Sequence, residues 1–294
     1  MSAATVEGRD VTVNLKLIYY GALMGISNII PGVSAGTIAL IVGIYDELLV
    51  SVRDFFSPKI KRTLPFIIPL AIGVVGGILA FSWLISWLLT NAFEPVQFFF
   101  LGLILGVLPF LFREAEAKET FRFIHIVLLL AVVSLVMLMN VFAPEEGART
   151  AYELTVQSGF WLFTAGIFAS MSLLLPGLSG ATVLLMFGVY GSAINALLTI
   201  DVPVILILVA GIGIGFIVSS RVIAYVLFNH RTLTYTVIIG LLIGSLTIVF
   251  PGISGQFGLM ILSLLTFAGG FAIAFRLGKA NDTMNREGVN PHDE

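Results

Sequence analysis

Long apolar runs separated by short polar stretches set the pattern of this chain. Runs near the length that crosses roughly 30 Å of hydrocarbon as a helix cover residues 64–90, 96–113, 122–143, 203–229, 232–250 and 257–276. Two more apolar stretches, 15–52 and 159–193, are interrupted by Pro31-Gly32 and Pro176-Gly177. Proline removes a backbone donor and clashes with the preceding turn, and glycine tolerates the sharp conformations that follow. Each interrupted stretch therefore reads as two shorter helical arms around a fixed break.

The interruptions are copies of one another. Gly21, Ser27, Pro31, Gly32, Ser34, Thr37, Gly43 and Tyr45 return 145 positions later as Gly166, Ser172, Pro176, Gly177, Ser179, Thr182, Gly188 and Tyr190. Beyond the breaks, Gly73, Gly77, Asn91, Gly102 and Gly106 return as Gly211, Gly215, Asn229, Gly240 and Gly244, now offset by 138. The slip fits a longer charged loop at 53–62 in the first copy. Glycines four apart on a membrane helix let neighbouring backbones approach closely, so these pairs are read as packing positions, with a substrate groove as the alternative.

Charge gives the copies opposite orientations. Lys and Arg collect in the cytoplasmic loops of membrane proteins. Arg9 and Lys16 precede the first interrupted stretch, and Arg53, Lys59, Lys61 and Arg62 follow it, so both its ends are cytoplasmic. Arg113, Lys118 and Arg122 mark the next inner loop, then Arg231, then Arg276, Lys279 and Arg286. The 91–95, 144–158 and 251–256 segments fall outside, and the second interrupted stretch enters from there. The expected fold is an all-α polytopic membrane protein with an inverted repeat. Residues 1–150 form one copy and 151–294 the other, each a re-entrant helical hairpin (15–52, 159–193) plus three transmembrane helices. Both termini are expected in the cytoplasm. The polar first sixteen residues do not read as a cleavable signal peptide, and the polar tail reads as a short solvated end.

Composition agrees and removes several chemistries. The chain is 58% hydrophobic, 11% charged, and has a mean hydropathy of +1.06; soluble domains carry about 25% charge. A net charge of −2 argues against nucleic acid. With no cysteine and three histidines, no metal or other cofactor is expected.

The breaks carry the candidate chemistry. Backbone groups freed inside a membrane must find partners or line a wet cavity. The arms that begin near Ser34 and Ser179 present free amides, positive dipole ends and the Thr37 and Thr182 hydroxyls, a natural setting for an anion. If both tips meet at mid-depth they form a donor-rich pocket without formal charge. The candidate binding set is Ser27, Asn28, Gly32, Ser34, Gly36, Thr37, Ser172, Gly177, Ser179, Gly180, Thr182 and Arg221, with Pro31 and Pro176 as the helix breaks. Two other readings stand beside it: the hydroxyls merely cap the arms, or the freed carbonyls bind a cation. Arg221, alone among basic residues within a span, either snorkels or meets an anion. Asp46 and Glu47 read as a solvated helix end rather than a proton site, His125 as an interfacial residue, and Pro251-Gly252-Ile253-Ser254-Gly255 as an outer turn.

Gly21-x-x-x-Gly25-x-Ser27-Asn28-x-Ile30-Pro31-Gly32-Val33-Ser34-x-Gly36-Thr37 with Gly43-Ile44-Tyr45-Asp46-Glu47, together with Leu175-Pro176-Gly177-Leu178-Ser179-Gly180 and Gly188-Val189-Tyr190, resembles the PopT-type polyprenyl-phosphate transporter family across essentially the whole chain. The resemblance implies an inner-membrane flippase, not an enzyme. It would return polyprenyl phosphate, of the undecaprenyl phosphate type, to the cytoplasmic leaflet for envelope glycan synthesis. The phosphate would sit at the tips, and its bilayer and lipid would be the partners. A small-anion or solute carrier is the alternative. A membrane polyprenyl diphosphate phosphatase is less favoured, because Ala35 and Gly180 stand where that chemistry places an arginine after the serine. Phosphoryl transfer needs such a positive clamp.

Overall fold

The apolar runs become helices, and no other regular element occurs among the described residues. The structure is a computed structural model that describes residues 15–28, 34–141 and 155–287. The first copy contains α1 (Leu15–Asn28), α2 (Ala35–Ile41), α3 (Tyr45–Phe55), α4 (Ile60–Asn91), α5 (Phe93–Glu114), the one-turn α6 (Ala117–Thr120) and α7 (Phe123–Val141). The second contains α8 (Val156–Leu174), α9 (Gly180–Met186), α10 (Tyr190–Thr199), α11 (Val202–Asn229), α12 (Arg231–Val249) and α13 (Phe257–Glu287). Six helices are long and apolar enough to cross a membrane: α4, α5, α8, α11, α12 and α13.

Two expectations need correction. Residues 156–174 form one helix of spanning length, not a short arm. Each interrupted stretch also holds three helices rather than two arms. The cause is a second turn, at Gly43 (φ +79°) and Gly188 (φ +66°). In both copies the helix closes with the same pair of bonds, Gly43 to Leu40 and Ile44 to Ala39, then Gly188 to Leu185 and Val189 to Leu184. This is the Schellman closure, which puts glycine in the left-handed region. The chain then turns sharply, by 114° between α9 and α10.

The recurring glycines set which helices touch. A Cβ on Gly73 or Gly77 would run into the α1 backbone at Ile18 or Ala22, and one on Gly211 or Gly215 into α8 at Phe163 or Ile167. Gly102 and Gly106 do the same for α5 against Phe267 and Phe271 of α13, while Gly240 and Gly244 pack on Val132 and Val136 of α7. So α1 lies on α4 as α8 lies on α11, and α5 lies on α13 as α12 lies on α7. The last two pairs exchange helices between the copies. Asn91 and Asn229 also repeat a role: each donates its side-chain amide to a carbonyl one turn back, at 2.8 Å, near the end of its helix.

Burial separates centre from periphery. Ile104 and Val107 of α5 and Ile239 and Leu242 of α12 are enclosed, whereas Leu79, Trp83, Leu264 and Leu265 project outward. Large apolar side chains that would aggregate a soluble protein are ordinary facing lipid tails. The 251–255 segment is a turn with Gly252 and Gly255 at positive φ; the Ser254 amide donates to the Glu94 carboxylate at 3.2 Å.

Candidate functional site

The two breaks meet. Ser34 caps α2 in extended geometry, its hydroxyl oxygen accepting from the Thr37 amide at 3.3 Å. The Ser34 and Thr37 hydroxyls lie 3.1 Å apart and also accept the Gly177 amide of the other break, at 3.3 and 3.1 Å. Both residues are only 1% exposed, so this three-way contact is sealed from solvent. The Tyr45 hydroxyl donates to the Leu174 carbonyl at the end of α8, at 3.0 Å. Gly36 presses on the same segment; a Cβ there would stand 3.3 Å from the Pro176 nitrogen. Orphan groups at one helix end thus satisfy orphan groups at the other.

Glycine is needed at 177 for two reasons. Its φ is +84°, and a Cβ would approach the Leu241 carbonyl of α12 to 2.9 Å. The second break is therefore wedged between α2 and the central helix α12.

The remaining sequence candidates divide by what their polar atoms do. Ser27 donates to Met24 and Ser172 to Ala169, at 2.8 and 2.7 Å, and both are buried. These equivalent serines are bonded within their own helices. Asn28 is exposed and accepts the Ala35 amide at 3.1 Å, adding a second cap to α2. Gly180 is buried, a Cβ there coming 3.2 Å from the Ala169 carbonyl. Ser179 stands at the N-cap of α9 without making a side-chain capping bond. It and Thr182 are partly exposed, and neither hydroxyl has a partner among the described residues. Pro176 is buried; Pro31 and Gly32 lie outside the described residues. Arg221 is exposed and reaches the Phe56 carbonyl past the end of α3, at 3.4 Å. That is some eleven residues, or roughly 16 Å of helix, along α3 from Tyr45, so it does not join the breaks.

Sequence reasoning missed a charged group at the start of α12, ten residues or roughly 15 Å of helix from the Leu241 that Gly177 touches. Arg231, read above only as a marker of the inner face, forms an ion pair with Glu114 and lies over the Tyr235 ring, 5.6 Å from its centroid. Asp46 is not a solvated helix end: it is half-buried and close enough to Arg231 to feel its charge. The carboxylate and arginine sit at helix ends far apart in sequence, and no local pattern links them.

Among the described residues, the junction is made of hydroxyls, backbone amides and carbonyls.

A family model described as undecaprenyl phosphate translocase-like matches residues 24–256, a span that contains both breaks. A polyprenyl-phosphate transporter of Staphylococcus aureus (strain NCTC 8325) is 36% identical over 271 residues, covering 89% of this chain and 95% of the relative. A polyprenyl-phosphate transporter of Vibrio cholerae serotype O1 is 31% identical over 252 residues, covering 79% of this chain and 76% of that one. No solved structure matches.

Proposed function

The chain belongs to the undecaprenyl phosphate translocase-like family, and from that premise we propose that it carries polyprenyl phosphate from the outer to the inner leaflet of the cytoplasmic membrane. This returns the lipid carrier for another round of envelope glycan synthesis. The headgroup is held where the two breaks meet, chiefly by the uncommitted Ser179 and Thr182 hydroxyls and the amides that open α9, while the prenyl chain stays in lipid.

One observation carries the reading. The Gly177 amide is bonded to Ser34 and Thr37 across 143 and 140 positions of sequence, so breaks from both halves share one polar centre. A polar, broken-helix centre between two repeats is the usual place for a transported substrate. The repeated Schellman turns, the repeated asparagine caps and the exchange of α5/α13 for α12/α7 support two copies related by a two-fold axis. The loop charges support antiparallel copies with both termini in the cytoplasm.

Inward movement of a phosphate opposes an inside-negative potential by about 2.3 kcal/mol per charge per 100 mV. A proton, or a cationic side chain moving with the headgroup, would offset that cost. The test is reconstitution into vesicles with a fluorescent polyprenyl phosphate in one leaflet. Protein-dependent movement that soluble anions fail to compete supports a lipid carrier. Uptake of soluble anions with a stationary lipid would make the protein a small-anion carrier instead.

A further inference from the structure

Two buried tyrosines lie between the junction and a charged cluster at the end of α12. At the junction, the Tyr45 hydroxyl holds the Leu174 carbonyl. The Tyr45 phenol lies within electrostatic reach of the Tyr235 phenol, and both residues are almost fully enclosed, at 2% and 3% exposure. Tyr235 lies under the Arg231 guanidinium, one helical turn from it on α12. Arg231 in turn pairs with Glu114 at the end of α5, with Asp46 nearby at the start of α3. Glu114 of α5 thus pairs with the arginine, and Asp46 of α3 lies within reach of its charge, at the end of α12 that the loop charges assign to the cytoplasm.

The arginine is not saturated by this pairing. A guanidinium offers five N–H donors, and Glu114 engages it from one side. The Glu114 side chain is 14% exposed, whereas that of Arg231 is 53% exposed. One edge is therefore open. Arg221 is differently placed, bonded to the Phe56 carbonyl outside this cluster.

The structural contrast with the helix pairs around it indicates which contact can change. α5 is held to α13 by glycines that bring the two backbones together, and α12 to α7 by glycines that seat Val132 and Val136. The Glu114–Arg231 pair joins one of these units to the other, and its partners are side chains rather than backbone. An ion pair in this position can be exchanged for another without unpacking a helix.

Resting on the reading that a phosphate headgroup occupies the junction, we infer that Arg231 is the cytoplasmic-side binding residue for that phosphate monoester, with Glu114 as the resident counter-ion that it exchanges. A phosphate monoester carries about −1.5 to −2 charge and accepts forked bonds from arginine. Moving from the neutral donors of the junction to Arg231 gives the headgroup its first full positive charge. Glu114 and the nearby Asp46 then compete for the guanidinium and favour release. Throughout the exchange the arginine keeps an anionic partner.

The test is binding of a short-chain polyprenyl phosphate to the full chain in detergent micelles, read as Kd, with Tm followed in parallel. R231Q should weaken binding by about tenfold or more, and R231K should recover part of it, because lysine keeps the charge without the fork. E114Q should tighten binding by about threefold to tenfold, since it removes the competitor. A mere strut between α5 and α12 predicts something else: both variants lower Tm alike and leave Kd unchanged. That result overturns the inference, as does weakened binding in E114Q. Should R231Q not fold, R231K and E114Q still decide the matter by their opposite directions. Absence of binding in the unsubstituted protein would remove the transport reading and this one together, whereas equal binding by R231Q and the unsubstituted protein removes this one alone. Inorganic phosphate as a competitor separates the sources. Displacement sensitive to R231Q means the site accepts the headgroup alone. Without displacement, but with the lipid still sensitive to R231Q, the prenyl chain supplies the remaining affinity.

Discussion

The two breaks begin from the same residues and end in different states. In the first, Ser34 caps its helix, Thr37 sits beside it, and both hydroxyls are sealed and spent on the Gly177 amide. In the second, Ser179 occupies the same cap position without a side-chain capping bond, and Thr182 is partly open. The backbone device is shared, down to the glycine turn and the tyrosine that follow it. The side-chain work is divided: one copy clasps the junction, and the hydroxyls of the other are partly exposed and bond no described residue. A duplicated motif therefore need not do the same side-chain work twice.

That comparison can be broken most forcefully at its shared contact. Gly177→Ala puts a side chain at φ +84° and into the α12 backbone. It is expected to cost about 2–4 kcal/mol, visible as a large fall in Tm and loss of transport. Next comes a matched pair of serine substitutions. Ser34→Ala removes a helix cap and one acceptor of a buried amide, for about 1–2 kcal/mol. Ser179→Ala should change stability by less than about 0.5 kcal/mol, yet weaken binding of polyprenyl phosphate. Equal loss of Tm in both serine variants would erase the distinction.

Much of the scaffold was legible because membrane helices advertise themselves by length. The structural α4, α5, α11 and α12 match the apolar runs to within a few residues, since a charged or turn residue ends each run abruptly. Gly73, Gly102, Gly211 and Gly240 were also readable as packing positions, because backbone contact between membrane helices demands a missing side chain. The second turns at Gly43 and Gly188 were harder. Both glycines stand out in the repeated motif, but an apolar run does not reveal that its helix closes and restarts. The site was legible only to the level of its segments. Ser34 looks like an available donor until Gly177 arrives from the other half, and Arg231 looks like a loop charge until Glu114 and Tyr235 fold against it. Both are long-range pairings that leave no periodic trace.

The chain contains no cysteine, so a single introduced thiol reports on one position without background. Ser179→Cys and Ser34→Cys, treated with a small water-soluble thiol reagent, test the central claim that the second break is the open face of a phosphate site. The account predicts that Cys at 179 reacts and is protected by saturating polyprenyl phosphate, while Cys at 34 stays unreactive with or without the lipid. Labelling at 179 that the lipid leaves unchanged, or equal reactivity at both positions, would contradict it.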